Sequence, residues 1–106
     1  MQFVVIAHDH EDDDALARRL KVRPEHMARC EKAVEQGTLV YAVALLDDSE
    51  RMIGSVMVLD LPNREDVDRW LDDEPYKVND VWCQITVTRG RIGPWFGQPL
   101  GSITPE

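Results

Sequence analysis

The chain is poor in basic residues, in cysteine and in aromatics, and each shortage excludes something. Twelve Lys and Arg stand against twenty Asp and Glu, a formal charge of −8 over 106 residues. Nucleic acid needs a basic patch to displace counter-ions from its phosphates, and an anionic membrane surface asks for the same. Neither partner is expected. Two cysteines, Cys30 and Cys83, fall on different predicted elements without CxxC spacing. That suits two reduced thiols in a cytoplasmic protein, although a disulfide turns on a distance the sequence does not give. No apolar run approaches the roughly 20 residues of a transmembrane helix. The N-terminus has no basic segment followed by an apolar one, so no signal peptide is read there. There is no Gly-rich phosphate loop and no GxSxG elbow, which disfavours phosphoryl transfer and serine hydrolysis.

What is present is one small domain with 43% hydrophobic residues, enough for a single core. Residues 2–8 read as a strand, carried by Phe3, Val4, Val5 and Ile6. An acidic stretch, His10–Asp14, precedes a short helical segment, Ala15–Leu20. The main helix is predicted over Arg23–Gln36, with Pro24 in its first turn, Met27, Cys30 and Val34 as its apolar stripe, and Gly37 just past its end. Thr38–Leu46 is a strand apolar on both sides, with Leu39, Tyr41, Val43 and Leu45 facing one way. Each face needs a cover, one from a helix and one from a second subunit. Asp47-Asp48-Ser49-Glu50 makes a polar turn, and Met52–Leu61 returns through Gly54-Ser55. A second helix follows Asn63, a plausible N-cap, with Val67, Trp70 and Leu71 inward and Glu74-Pro75-Tyr76 ending it. Val78–Arg89 is the last strand, Val81, Cys83, Ile85 and Val87 on one face and Trp82 on the other.

The order predicts an α+β fold, a ferredoxin-like βαββαβ domain over residues 1–90 with a four-stranded antiparallel sheet and its helices on one face. The other sheet face would be bare in a single copy, and two copies packing those faces together would bury it, which argues for a homodimer. Residues 91–106 form a tail whose Ile92, Trp95 and Phe96 are too apolar to leave in water, so docking on the chain itself or on a partner is expected.

One pairing stands out. Asp9 follows the first strand, and His26 falls near the predicted helix start. A fold that joins those two ends brings a carboxylate to an imidazole, the side chain best suited to proton transfer near neutral pH. The other reading of His26 is structural, a helix-start residue salt-bridged to Asp9. His8-x-His10 amid acidic residues invites a metal, but no second ligand cluster accompanies it, and neither metal nor cofactor is expected.

The ordered set Asp9, Arg19, Arg23-Pro24-Glu25-His26-Met27, Gly37-Thr38-Leu39, Asp47-Asp48, Gly54-Ser55 and Glu74-Pro75-Tyr76 resembles the YciI (YCII-related) family, whose fold is a dimeric α+β barrel. Ala42-Val43-Ala44-Leu45 departs from that family's Ala-Gly-Pro-Leu, and Val43 adds bulk where a pocket wall is expected. The resemblance implies a His-Asp pair, here His26 with Asp9, and chemistry of the lyase, isomerase or dehalogenase kind on small metabolites. Arg19 and Arg23 can hold a carboxylate by bidentate hydrogen bonds or serve as surface ion pairs. Ser55 can present a hydroxyl or bond to backbone, Asp47 can act as a pocket acid or a turn residue, and Tyr76 can line the pocket or only pack. A non-catalytic dimeric module that binds a ligand or another protein is the alternative to an enzyme.

Overall fold

A computed structural model describes residues 1–96, and the part of the expected tail beyond them lies outside the described residues. The elements are β1 (Gln2–Asp9), α1 (Ala15–Glu35), β2 (Leu39–Leu46), β3 (Met52–Asp60), α2 (Arg64–Asp72), α3 (Pro75–Val78) and β4 (Trp82–Gly90). The four strands form one antiparallel sheet in the order β2-β3-β1-β4, the ferredoxin-like α+β arrangement. No helix among the described residues is long and apolar enough to cross a membrane.

The inward face follows strand alternation. Phe3, Val5 and Ala7 stand opposite Leu59, Met57 and Ser55 on one side of β1, with Val87 opposite Val5 and Ile85 opposite Ala7 on the other. The core gathers there with Val22, Ala33, Val67, Leu71, Tyr76 and Trp82. Val4, Ile6, Val56, Val58, Tyr41 and Val43 belong to the opposite register and form the sheet's outer face. Of three register shifts in the sheet, two overturn the faces that simple alternation gives Leu39 and Trp82. One between Leu39 and Tyr41 turns Leu39 inward with Ala42 and Ala44, leaving Tyr41 and Val43 outward. Another at His8/Asp9 sets Trp82 opposite Asp9, so Trp82 shares the helix-side face with Ile85 and Val87. A one-residue slip exchanges the faces of a strand, which is why a strict period-2 reading fails at both places.

The helix boundaries also differ from expectation. α1 is a single helix from Ala15 to Glu35 with Pro24 inside it. Pro24 lacks the N–H that would bond the Leu20 carbonyl. Both residues are exposed, so water can satisfy that carbonyl. The buried stripe is Arg19, Val22, His26 and Ala33, whereas Met27 is 48% and Val34 57% exposed. At the helix end the Gly37 N–H bonds the Val34 carbonyl at 3.1 Å and the Thr38 N–H bonds the Ala33 carbonyl at 2.9 Å. With Gly37 at φ +78, this is the Schellman closure its position predicts. Asn63 caps α2, accepting the Asp66 N–H at 2.9 Å. Glu74-Pro75-Tyr76 opens a helix of its own, with Glu74 as N-cap and Pro75 in the first turn.

Beyond β4, the Ile92 N–H bonds Gln2 Oε1 at 3.3 Å. Pro94 is buried and Ile92 half-buried, whereas Trp95 and Phe96 are 59% and 71% exposed.

Candidate active site

The helix side of the sheet is not fully covered. α1 stands off from the β2–β3 hairpin and leaves an open cleft of about 740 Å³. Ala42 and Ala44 lie on its floor, Met27 and Val34 on the α1 side, and Arg19, Arg23, His26, Cys30, Ser55 and Tyr76 around its polar end. The positions 19, 23, 26 and 30 recur at three- and four-residue steps, which sets them along one side of α1.

Asp9 and His26 form no hydrogen bond or ion pair. The Asp9 side chain turns inward at the end of β1, where both its oxygens accept from Arg19 Nη1, at 2.9 and 3.1 Å. Arg19 Nη2 donates to Ser55 Oγ at 2.9 Å. All three residues are buried. Burial pushes the Asp9 carboxyl above its ordinary range, and the Arg19 guanidinium opposes that rise. The sequence expectation fails here because a buried arginine, ten residues on, satisfies the carboxylate first. Arg19 is thereby committed to Asp9 and Ser55.

His26 pairs instead with Glu74, a fully buried carboxylate 48 residues away. The contact runs from His26 Nδ1 to Glu74 Oε1, which also accepts the Tyr76 N–H at 3.3 Å. Arg29 Nη1 donates to Glu74 Oε2 at 3.0 Å. The imidazole stacks on Tyr76 with centroids 3.9 Å apart and planes 16° apart, and Trp82 meets it edge-on at 6.5 Å. Arg19 lies 4.6 Å from the Tyr76 ring centroid, so the two carboxylate clusters share that ring. Burial raises the Tyr76 phenol.

Cys30 Sγ lies 3.4 Å from His26 Nε2. Its thiol is pushed up to about 11, by burial first and by Glu74 second, with Arg29 opposing. Near neutrality it is therefore an uncharged, weak donor to that nitrogen.

Arg23 lines the cleft and forms no ion pair among the described residues. Asp47 does not reach the cleft. Its carboxylate closes the β2–β3 turn, accepting the Ser49 N–H at 2.8 Å, the Arg51 N–H at 3.0 Å and Arg51 Nε at 3.1 Å. The Arg51 N–H chiefly holds it below the usual carboxylate range. Among the described residues no group of three His, Cys, Asp or Glu side chains is arranged to hold a metal. His10 Nε2 lies 3.0 Å from Asp80 Oδ1 instead.

Glu74 stands in the Glu74-Pro75-Tyr76 motif without a role assigned to it, and Arg29 belongs to no motif. The available signals were local. Glu74 stands immediately before a proline and an inward tyrosine, and Arg29 lies one turn beyond His26 on α1.

These features define a class: a ferredoxin-like α+β domain with a buried histidine–carboxylate pair at the edge of an open cleft. The YCII-related domain matches residues 1–91, and the chain belongs to that family. Protein YciI of Escherichia coli O6:H1 is 29% identical over 93 residues, covering 82% of this chain and 93% of that protein, and protein YciI of Shigella flexneri matches to the same extent. Among solved structures, 5-chloro-2-hydroxyhydroquinone dehydrochlorinase from Burkholderia phenoliruptrix AC1100, in complex with 2,5-dihydroxybenzoquinone, has a TM-score of 0.76 at 18% identity, covering 88% of this chain and 96% of that one. An antibiotic biosynthesis monooxygenase has a TM-score of 0.51, also at 18% identity, covering 87% and 99%. Both share the fold.

Proposed function

We propose that this chain is an enzyme that moves a proton on a small organic molecule held in the cleft between α1 and the β2–β3 hairpin, with His26 as the base. The observation that carries the reading is a cleft-lining imidazole backed by a carboxylate with no exposure to solvent. An ionised carboxylate only accepts hydrogen bonds, so Nδ1 is the donor to Glu74 and Nε2 is left basic. When Nε2 takes a proton, Glu74 supplies the counter-charge for the imidazolium. The S–H of Cys30 is a weak partner that a substrate C–H or O–H displaces from Nε2. Proton removal beside an electron-withdrawing group then ends in one of two ways. The electron pair expels a leaving group, or the carbon skeleton is reprotonated elsewhere by the same imidazolium.

Family membership and the fold shared with a dehydrochlorinase support this lyase, isomerase or dehalogenase class. Arg23 serves as the cation for an anionic substituent, a role that Arg19 is too committed to fill. Tyr76 and Ser55 line the pocket, and Asp9 anchors Arg19. A homodimer belongs to the same proposal, because the outer sheet face carries Val4, Ile6, Val56, Val58, Tyr41 and Val43 with no helix over them among the described residues. A cytoplasmic location goes with the two free thiols, Cys30 and Cys83.

The test is a screen of small lactones, halogenated acids and halogenated hydroxyquinols, followed by variants. His26→Ala and Glu74→Gln are each expected to lower kcat on any compound turned over by about 10²–10⁴-fold. Full turnover in His26→Ala overturns the assignment of the base. Compounds that shift the NMR signals of Arg23 and Met27 but are recovered unchanged make the chain a binding module.

A further inference from the structure

Glu74 is enclosed, and an enclosed carboxylate stays ionised only beside a positive charge. Two side chains can supply one. His26 meets Oε1, and Arg29 meets Oε2 at 3.0 Å. Arg29 is itself fixed from α2: Nη2 donates to the Trp70 carbonyl at 2.6 Å, and the guanidinium lies 4.0 Å from the Trp70 ring centroid. A guanidinium carries its charge at every pH at which a protein folds, whereas an imidazole carries one only when protonated.

We propose that Arg29 is the permanent counter-ion of Glu74, a positioning residue that leaves His26 free to be neutral and basic at Nε2. With Arg29 present, guanidinium, carboxylate and neutral imidazole sum to zero. Without it, a neutral His26 would leave an enclosed net charge of −1, and the pair would take up a proton to remove it. Whether that proton rests on the imidazole or the carboxyl, the pair holds it and His26 is no longer a ready acceptor.

The other groups facing His26 do not replace Arg29. On α1, Arg19 is neutralised by Asp9 of β1, Arg23 stands on the exposed side of the cleft, and the Cys30 thiol is uncharged near neutrality. The α3 segment adds Tyr76, whose phenol burial keeps protonated, and β4 adds Trp82. Among the described residues, Arg29 is the only arginine or lysine bonded to Glu74, and His26 is its other ion-pairing partner only when protonated. The catalytic meaning of Arg29 rests on the base assigned to His26 above, but its charge balance does not.

The experiment is a pH titration of the His26 ring by ¹⁵N-detected NMR on the full chain, in wild type, Arg29→Gln, Arg29→Lys and the double variant Arg29→Gln/Glu74→Gln. In wild type at pH 7 the ring is expected to be neutral, with its proton on Nδ1. In Arg29→Gln the midpoint at which the pair gives up its proton should rise by about one pH unit or more. Arg29→Lys should restore most of the wild-type behaviour, and removing the Glu74 charge as well should abolish the rise. A wild-type ring that is already an imidazolium at pH 7 overturns the proposal, as does a folded Arg29→Gln protein whose titration does not move. Should Arg29→Gln fail to fold, the wild-type protonation state and the Arg29→Lys titration decide. No substrate is involved, so the two readings fail separately. A protein that shows the shift but turns nothing over keeps Arg29 as counter-ion and loses the enzyme. A protein that turns substrate over without the shift does the reverse.

Discussion

At the scale of single residues, the site is two carboxylates with two different jobs. Asp9 is held by an arginine at the end of β1; Glu74 is held by an arginine and by the histidine that lines the cleft. Cys30 reports on the second cluster, because its thiol is raised by burial and by Glu74. Only the thiolate reacts with an alkylating reagent. At pH 8, iodoacetamide is expected to modify exposed Cys83 first and Cys30 slowly, with the Cys30 rate climbing about tenfold per pH unit towards pH 11. Mass spectrometry of the two peptides checks this, and a Cys30 that labels as fast as Cys83 at pH 8 contradicts the buried thiol. The same shift links to folding. An ordinary thiol loses its proton near 9.0, and burial pushes Cys30 up to about 11, so between those values the folded chain keeps a proton that the unfolded chain has lost. That contribution to stability is whole below pH 9 and is lost as pH rises towards 11. Denaturation of wild type against Cys30→Ser across this window isolates it, because serine does not titrate there.

The histidine could be picked from the sequence because it is one of only three and sits in an ordered motif. Its partner could not. The chain offers twenty acidic residues, and Asp9 looked right only because strand and helix ends were expected to meet. The contest for Asp9 is decided by Arg19, whose burial no local pattern announces. Glu74 becomes a partner only after α3 turns it beneath α1, a long-range consequence of how the helices pack.

At the scale of elements, composition and spacing located nearly every strand and helix, and the misses have specific causes. Pro24 reads as a helix start, yet its cost inside α1 is reduced because the orphaned Leu20 carbonyl lies on the exposed side. Leu39 and Trp82 face opposite to strict alternation because register shifts are a property of strand pairing, invisible in one strand alone. A glycine inside a strand marks a bulge or a close approach of backbone or ligand, and at Gly54 the structure shows the close approach. A Cβ there would stand 2.5 Å from the Ala7 carbonyl oxygen and 3.1 Å from Leu45 Cδ1. Backbone on the central strand cannot move aside as a flexible side chain can. Gly54→Ala is therefore expected to cost about 1–3 kcal/mol, through overpacking of the β1–β3 pair next to Ser55. Urea denaturation should show a lower midpoint at an unchanged m-value. A Gly54→Ala protein as stable as wild type would mean that the two strands separate more easily than their register suggests.

At the scale of the whole molecule, the helices among the described residues all lie on one side of the sheet. The outer face of β1, β3 and β2 presents Ile6 between Val56 and Thr86, Val4 beside Val58, and Tyr41 and Val43 towards the edge. β4 contributes threonines to the same face, so the apolar patch lies off-centre, towards β2. A second copy packed on this face would bury apolar surface worth about 25 cal/mol per Å². It must do so against the repulsion of two chains that each carry −8, so association should strengthen as salt screens that charge. Ile6 gives the cleanest test, because it sits in the central strand, points away from the cleft and the core, and is already 37% exposed in the single chain. Ile6→Glu leaves the new carboxylate in water in a monomer, with little effect on folding, but strands an unpaired charge at the centre of a dimer interface. Sedimentation equilibrium is expected to give wild type twice the 12.1 kDa chain mass at micromolar concentration. Ile6→Glu should sediment at the single-chain mass with an unchanged circular dichroism spectrum. A wild-type protein that stays monomeric and stable at that concentration, in both low and high salt, removes the homodimer from the proposal. The cleft would remain intact, since His26, Glu74, Arg29 and its walls all come from one chain.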